Sequence, residues 1–316
     1  MKIKIGVSSC VLGQSVRYDG GHKKSGFVAK KVADIFELVP ICPEVGMGMP
    51  VPRPTIHLRE FQQSDNISIR LVDSKDGSID HSEAMENFYQ SVHSRLKAMD
   101  GYIVAAKSPS CGMERIKVYT EQGDLLHRKG MGLYVAKMKA HFPNLPIEED
   151  GRLNDQGLRE SFFVRVMAHH EFRTQVLEQP SVRSLVAFHS RYKFLILAYK
   201  EDIYRQLGRI VAQASQGELA STLSEYQSLM MAALSRTVSR KKHTNVLMHL
   251  QGFFKKHLEQ EEKRELSQAI EHFRLGYVPL LAPLTLLRHH LKRFPNPYLE
   301  QQAYLQPFPI ELGLHA

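Results

Sequence analysis

An α/β domain with a mostly parallel sheet, followed by an all-α domain, is the architecture this sequence predicts, and three observations carry it. Up to about residue 150, short β-rich runs alternate with helical periods. Beyond about Asn154, apolar residues recur at three and four over long stretches with almost no strand signal. Between the two lies PNLPIEEDGRLND, a run of proline, acids and glycine with the composition of a boundary. Alternation of strand and helix implies parallel pairing with right-handed crossovers. The expected domains are 1–150 and 155–316, and a chain of 316 residues is roughly twice the usual domain.

The strands read in order as IKIGVSS, FELVPIC, SIRLVDS, YIVAAKS and IKVYTEQG, each ended by a polar turn. FVAKKVADIF and MENFYQSVHSRLKAM are the helices between them. In the second half the helical periods are FFVRVMAHHEFRTQVL, IYRQLGRIVAQA, EYQSLMMAALSRTV and HTNVLMHLQGFFKKHL. Met230, Met231, Phe253, Phe254 and the LLAPLTLL run are expected to pack the helical core. Two histidine pairs, His169/His170 and His289/His290, invite a metal reading, but adjacent helical positions point about 100° apart and neither pair chelates easily.

Composition narrows the function. With 43% hydrophobic and 24% charged residues the chain reads as globular. A membrane partner is not expected, since no run reaches the roughly 20 apolar residues that span a bilayer. MKIKIGVSSC lacks the long apolar core of a secretion signal, so a cytoplasmic location is expected. There, an odd count of three cysteines is no disulfide framework. The net charge is +9, and residues 1–150 hold 20 basic against 18 acidic side chains while the remainder holds 22 against 15. A basic, histidine-containing helical half suits an anionic polymer such as RNA, and equally a merely soluble helical domain.

Each cysteine falls just past a strand: Cys10 after IKIGVSS, Cys42 after ELVPI and Cys111 after GYIVAAKSPS. In a parallel sheet the carboxyl ends of the strands share one edge, where ligands bind, so residues remote in sequence converge there. Gly13, Pro43, Gly46, Pro109 and Gly112 surround the thiols and permit tight turns close to a ligand. A structural zinc site would offer CxxC pairs and four ligands, and neither is present. Three thiolates without an obvious fourth suit a 4Fe-4S cluster with one open iron, and three unrelated reduced cysteines are the bland alternative.

VSSCVLGQSVRYDGGHK, CPEVGMGMPVPRP and KSPSCGM, in that order, resemble the three motifs of the thiouracil desulfidase family over residues 1 to about 145. RYKFLILAYKEDIYRQLG, HTNVLMHLQGFFKK and PLTLLRHHL resemble the helical domain that accompanies this module in tRNA 4-thiouridine desulfidases. The resemblance implies removal of sulfur from 4-thiouridine in tRNA to leave uridine. It implies a 4Fe-4S cluster on Cys10, Cys42 and Cys111, whose unligated iron takes the substrate sulfur. It also places the catalytic residues at Glu44 and Ser108, with Ser110 as the rival serine. Val11 and Met49 depart mildly from the usual leucines.

Replacing sulfur by oxygen is a hydrolysis, so a base must take a proton from water, and Glu44, two residues from a ligand cysteine, is the candidate. Lys107, His22, Lys23 and Arg53 are candidate substrate contacts, each with an ordinary surface or structural role as its alternative. Drawing a base out of a folded tRNA needs compensating backbone contacts. For these the helical half offers Arg191, Lys193, Arg240, Lys241, Lys242, Arg288, His289 and Arg293. A nucleotide cofactor is not expected, because GxxxxGK[ST] and SGGxDS are both missing, which also weighs against a sulfur-inserting thiolase. A cluster-bearing tRNA-binding protein and a desulfidase of free thiouracil complete the rival readings.

Overall fold

A computed structural model describes residues 2–63 and 66–314. The chain forms two compact units, Met1–Asp155 and Gln156–Ala316. The first is α/β. Its strands are β1 (Lys4–Ser8), β2 (Glu37–Ile41), β3 (Ile56–Gln63), β4 (Asn66–Asp73), β5 (Gly101–Val104), β6 (Ile116–Tyr119), β7 (Leu125–Gly130) and β8 (Ile147–Glu149). Its α-helices are α1 (Ala33–Ile35), α2 (Pro43–Gly46), α3 (Ser82–Lys97) and α4 (Leu133–His141), with a π-turn over Phe27–Val32 leading into α1.

Two four-stranded sheets result. One is wholly parallel, in the order β2-β1-β5-β8. Ile5, Val7, Tyr102, Ile103 and Val104 are fully buried, as a sheet covered on both faces requires. Pro40 sits opposite Val7 on β2, at the sheet edge, where a missing N–H costs no ladder bond. The other sheet, β4-β3-β6-β7, joins two antiparallel pairs through a parallel β3/β6 contact. The expected single sheet is therefore two. The second was hidden because β3 and β7 are largely polar: IHLREFQQ and LLHRKG interleave apolar residues with His, Arg, Gln or Lys.

A second departure concerns the acidic run read as boundary. Ile147–Glu149 is the last strand of the parallel sheet, and Glu148, Glu149 and Asp150 are buried behind it. Burial of three acids is sustained by partners: Arg152 on Glu148, the Met113 N–H on Glu149, and Lys23 with the Ala106 N–H on Asp150.

The second unit is helical throughout: α5 (Gln156–Phe172), α6 (Val182–Tyr199), α7 (Glu201–Gln213), α8 (Leu219–Leu234), α9 (Arg240–Gln251), α10 (Gln260–Leu275), α11 (Leu281–Arg293) and the short α12 (Pro297–Glu300). Ser181 and Ser184 form a capping box at the start of α6. Its core is aromatic, with Phe188 stacked on Tyr192 at 4.3 Å and Phe172 on Tyr226 at 5.7 Å. Met230, Met231, Phe254, Leu284 and Leu287 are buried there. Phe253 is not: 39% exposed, it stacks on Tyr298 at the surface. No helix among the described residues is long and apolar enough to cross a membrane.

Candidate active site

The three cysteines follow three neighbouring strands. Cys42 ends β2 and opens α2, Cys10 lies in the turn after β1, and Cys111 follows the loop after β5, while the order β2-β1-β5 makes those strands adjacent. Adjacent strands lie about 4.8 Å apart, so loops leaving the same edge meet. All three thiols line one cavity of about 340 Å³, in the size range of a small-ligand site.

Local structure fixes each loop. The Cys10 carbonyl accepts the N–H groups of Gly13 (3.1 Å) and Lys23 (2.9 Å), and that of Cys42 accepts Gly46 N–H (2.8 Å). Lys107 turns the chain after β5 with a left-handed φ of 65°. The loop then folds over the N-terminus of α4, whose free N–H groups find its carbonyls: Gly132 on Gly112 (2.8 Å), Leu133 on Pro109 (3.0 Å) and Tyr134 on Ser110 (3.1 Å). The approach is so close that a Cβ on Gly132 would lie 2.5 Å from the Ser110 carbonyl oxygen and 2.8 Å from the Cys111 nitrogen. Gly132→Ala is therefore expected to destabilise the fold by at least the 1–3 kcal/mol, roughly, of an overpacked core, read as a lower denaturation midpoint. An unchanged midpoint would refute this contact.

Glu44, on α2, enters the same cavity with both carboxylate oxygens held. Oε1 accepts the hydroxyls of Ser110 (2.9 Å) and Ser108 (3.3 Å), and Oε2 accepts Arg53 Nε (3.0 Å) and Nη2. Arg53 places further donors on the carbonyls of Val16 (2.8 Å) and Pro50 (3.4 Å), and its side chain is 2% exposed. The serines differ in place. Ser108 lines the cavity, and its oxygen also accepts the N–H groups of Ser110 (3.2 Å) and Cys111 (3.1 Å). Ser110 is fully buried behind the wall.

The thiols are held in their neutral form. Burial pushes Cys10 up to about 11, with the neighbouring Cys42, Asp150 and Glu44 adding to it. Burial raises Cys42 as well, and carries Cys111 well above the ordinary thiol range, with Glu44 next in effect. A bound cation inverts this balance, because a coordinating thiol is deprotonated outright. Among the described residues, no three His, Cys, Asp or Glu side chains are gathered tightly enough to hold a single metal ion. The donor set the lining offers is three cysteines, soft ligands of the kind that suit a thiophilic group.

The remaining candidates separate. Lys23 lines the cavity and is paired with Asp150 at 3.0 Å; Lys107 lines it and is exposed. His22 is exposed outside the cavity lining, where its Nδ1 accepts the Lys24 N–H at 3.3 Å. Arg53 lines the cavity too, and its donors go to Glu44 and main-chain carbonyls, the structural pairing that stood as the alternative to a substrate contact. Asp150 escapes sequence reading because it sits in the acidic run taken as a linker. Arg17 and Tyr18 also line the cavity, and their RYDG stretch was legible only as part of a motif.

In the second unit, most of the basic group offered for phosphate contact also has internal partners. Arg191 grips Glu171 with Nε (2.7 Å) and Nη2 (3.1 Å) and donates to the Gln301 carbonyl. Lys193 lies 4.8 Å from the Tyr298 ring centre, and Lys242 donates to the Tyr199 carbonyl at 2.6 Å. Arg240 donates to the Phe273 and Val278 carbonyls, Arg288 to that of Leu305, and Arg293 pairs with Glu262. Lys241 is exposed on the first turn of α9.

A parallel sheet with a cysteine at each of three adjacent strand ends and a clamped glutamate in the same cavity defines the class. Residues 5–150 match the family model described as 2-thiouracil desulfurase, and residues 193–309 match that of a protein of unknown function, DUF1722. The part that matches the 2-thiouracil desulfurase model is thus followed by a second, helical domain. The Escherichia coli (strain K12) uncharacterized protein YbgA is 34% identical over 163 residues, which are 51% of this chain and 96% of that protein. The chain belongs to the family that includes YbgA. A solved structure, the [4Fe-4S]-dependent thiouracil desulfidase TudS, is 27% identical and covers 48% of this chain and 94% of its own, with a TM-score of 0.39.

Proposed function

We propose that this protein is a desulfidase of 4-thiouridine in tRNA, replacing the sulfur at C4 by oxygen from water, with a 4Fe-4S cluster held by Cys10, Cys42 and Cys111. The observation that carries the reading is the meeting of three thiols and one clamped carboxylate in a single cavity. When bound, the cluster supplies a soft Lewis acid for a thiocarbonyl sulfur. The thiocarbonyl, water and the protein then account for every atom. Water gives its oxygen to C4, the carbon–sulfur bond breaks, and the sulfur leaves with the protons of that water as hydrogen sulfide, with no net electron transfer.

Glu44 does the proton work. Its carboxylate takes a proton from the water that attacks C4 and returns it as the carbon–sulfur bond breaks. Arg53 and Ser110 fix the oxygens, so no side-chain rearrangement is needed at the moment of reaction. Ser108, which lines the cavity, donates its hydroxyl to Glu44 Oε1 and so helps to hold the base beside the reacting carbon.

The tRNA half of the reading is supported by the basic excess of residues 151–316, 22 Lys and Arg against 15 acids. The internal engagement of Arg191, Lys242, Arg288 and Arg293 favours the second reading, a desulfidase of free thiouracil. Anaerobically purified protein is incubated with 4-thiouridine-containing tRNA and, separately, with 2- and 4-thiouracil. Loss of the thio-nucleoside from tRNA with appearance of sulfide is expected. Turnover of the free bases alone selects the second reading, and no turnover of either rejects both.

A further inference from the structure

We propose that Tyr18, with the Arg17 guanidinium against its ring, is the stacking platform that receives the substrate's pyrimidine ring at the mouth of the cysteine cavity; the inference rests on the desulfidase reading above. Both residues line the cavity. Tyr18 is 43% exposed at a cavity whose inner wall is formed by buried Ser8, Ser9, Ile41, Arg53 and Cys111, with exposed Pro54, Thr55 and Lys107 also in the lining. Arg17 Cζ lies 5.5 Å from the Tyr18 ring centre, and no other ring contacts it among the described residues. A phenol with one flank against a guanidinium and a large part of its surface open is suited to take a flat, electron-poor ring by stacking.

The platform is tied to the proton-transfer group. The Tyr18 carbonyl accepts the Arg53 main-chain N–H at 2.9 Å, and the Val16 carbonyl accepts Arg53 Nη2 at 2.8 Å. The strap is closed on its other side by Arg17 N–H on the Gly21 carbonyl (3.1 Å) and Gly20 N–H on the Arg17 carbonyl (2.9 Å). The same Arg53 clamps Glu44. One residue therefore sets both the ring that would hold the base and the carboxylate that would serve its C4, so the height of the base is registered against the attacking water.

The chemistry also bears on which pyrimidine is taken. A π-face is common to every base, so stacking contributes affinity without choosing the base, and the choice is left to the thiol wall. Lys107, and Arg17 in an exposed pair with Asp19 at 3.7 Å, bring positive groups to the same mouth, which suits a pyrimidine that carries a ribose phosphate better than a bare base.

The test uses the full-length chain with Tyr18→Leu and Tyr18→Phe; an exposed side chain leaves both variants able to fold. Equilibrium binding of 4-thiouridine 5′-monophosphate and of uridine 5′-monophosphate is measured beside steady-state turnover of thiolated tRNA. Tyr18→Leu is expected to weaken binding of both nucleotides and to raise KM by on the order of 10-fold, with kcat nearly kept, while Tyr18→Phe behaves as the parent. Unchanged binding by the leucine variant, or loss of kcat with binding intact, overturns the platform. Should the parent bind nucleotide without turning over, the desulfidase reading falls, and the Leu/Phe binding contrast still decides the platform. A parent that binds neither nucleotide overturns it outright.

Discussion

Glu44→Gln is expected to lower kcat by about 10²- to 10⁴-fold, the usual contribution of a positioned general base, while anaerobically purified protein keeps the brown colour that the proposed cluster would give. The amide is isosteric and retains an oxygen for the hydroxyls of Ser110 and Ser108, so the wall of the cavity stays in place. What it removes is proton affinity and charge. Arg53 then loses its counter-charge although its side chain is only 2% exposed. Removing one partner of a buried pair costs about 3–5 kcal/mol, because the survivor is left uncompensated. The variant should therefore also melt earlier, and turnover must be compared well below its transition. Arg53→Ala separates the two effects: a similar loss of stability is expected, with the carboxylate still present but held only by serines. The double variant should be less destabilised than the sum of the singles, since neither orphaned charge remains. Undiminished kcat in Glu44→Gln would remove this residue from the chemistry.

Cys10→Ala, Cys42→Ala and Cys111→Ala should each yield colourless protein with turnover below detection. The fold should survive all three, because the loops are anchored by main-chain bonds rather than by sulfur: Gly13 and Lys23 on Cys10, Gly46 on Cys42, and the N-terminus of α4 around Cys111. Cys111→Ala adds a small void in a buried position, a loss on the order of 1 kcal/mol. The comparison between positions is informative. Burial raises all three thiols, so their neutral forms are favoured where no metal is bound. A variant that keeps both chromophore and turnover would strike its cysteine from the ligand set, and retention of both by all three would end the cluster hypothesis.

The glutamate clamp shows where sequence reasoning runs out. Glu44 and Ser108 were legible through the family resemblance of their CPE and SPSC motifs, and Glu44 also through its place two positions from a cysteine. Arg53 was visible only as a nearby cation, and its function depends on a fork closing across the loop that separates it from Glu44. Ser108 and Ser110 are equivalent in sequence, two apart in one turn. Burial distinguishes them: both hydroxyls reach Glu44 Oε1, but Ser108 lines the cavity and Ser110 is fully buried. In the second unit the limits are plainer. A lysine or arginine on a helix looks the same in sequence whether it faces water or a carbonyl, and Arg191, Lys242 and Arg288 face carbonyls or carboxylates.

By itself, the sequence determined the change from α/β to all-α, since hydrophobic periodicity is a local property of consecutive residues. It also determined that each cysteine follows a strand, because a strand and the turn that ends it are written side by side. The tertiary structure alone decided that β2, β1 and β5 are neighbours, that β3, β4, β6 and β7 form a sheet of their own, and that the acidic residues just before the domain boundary form a buried strand. Strand order is set by which apolar faces bury one another across long separations. The meeting of three distant thiols in one cavity is a consequence of that packing, which no short stretch of residues encodes.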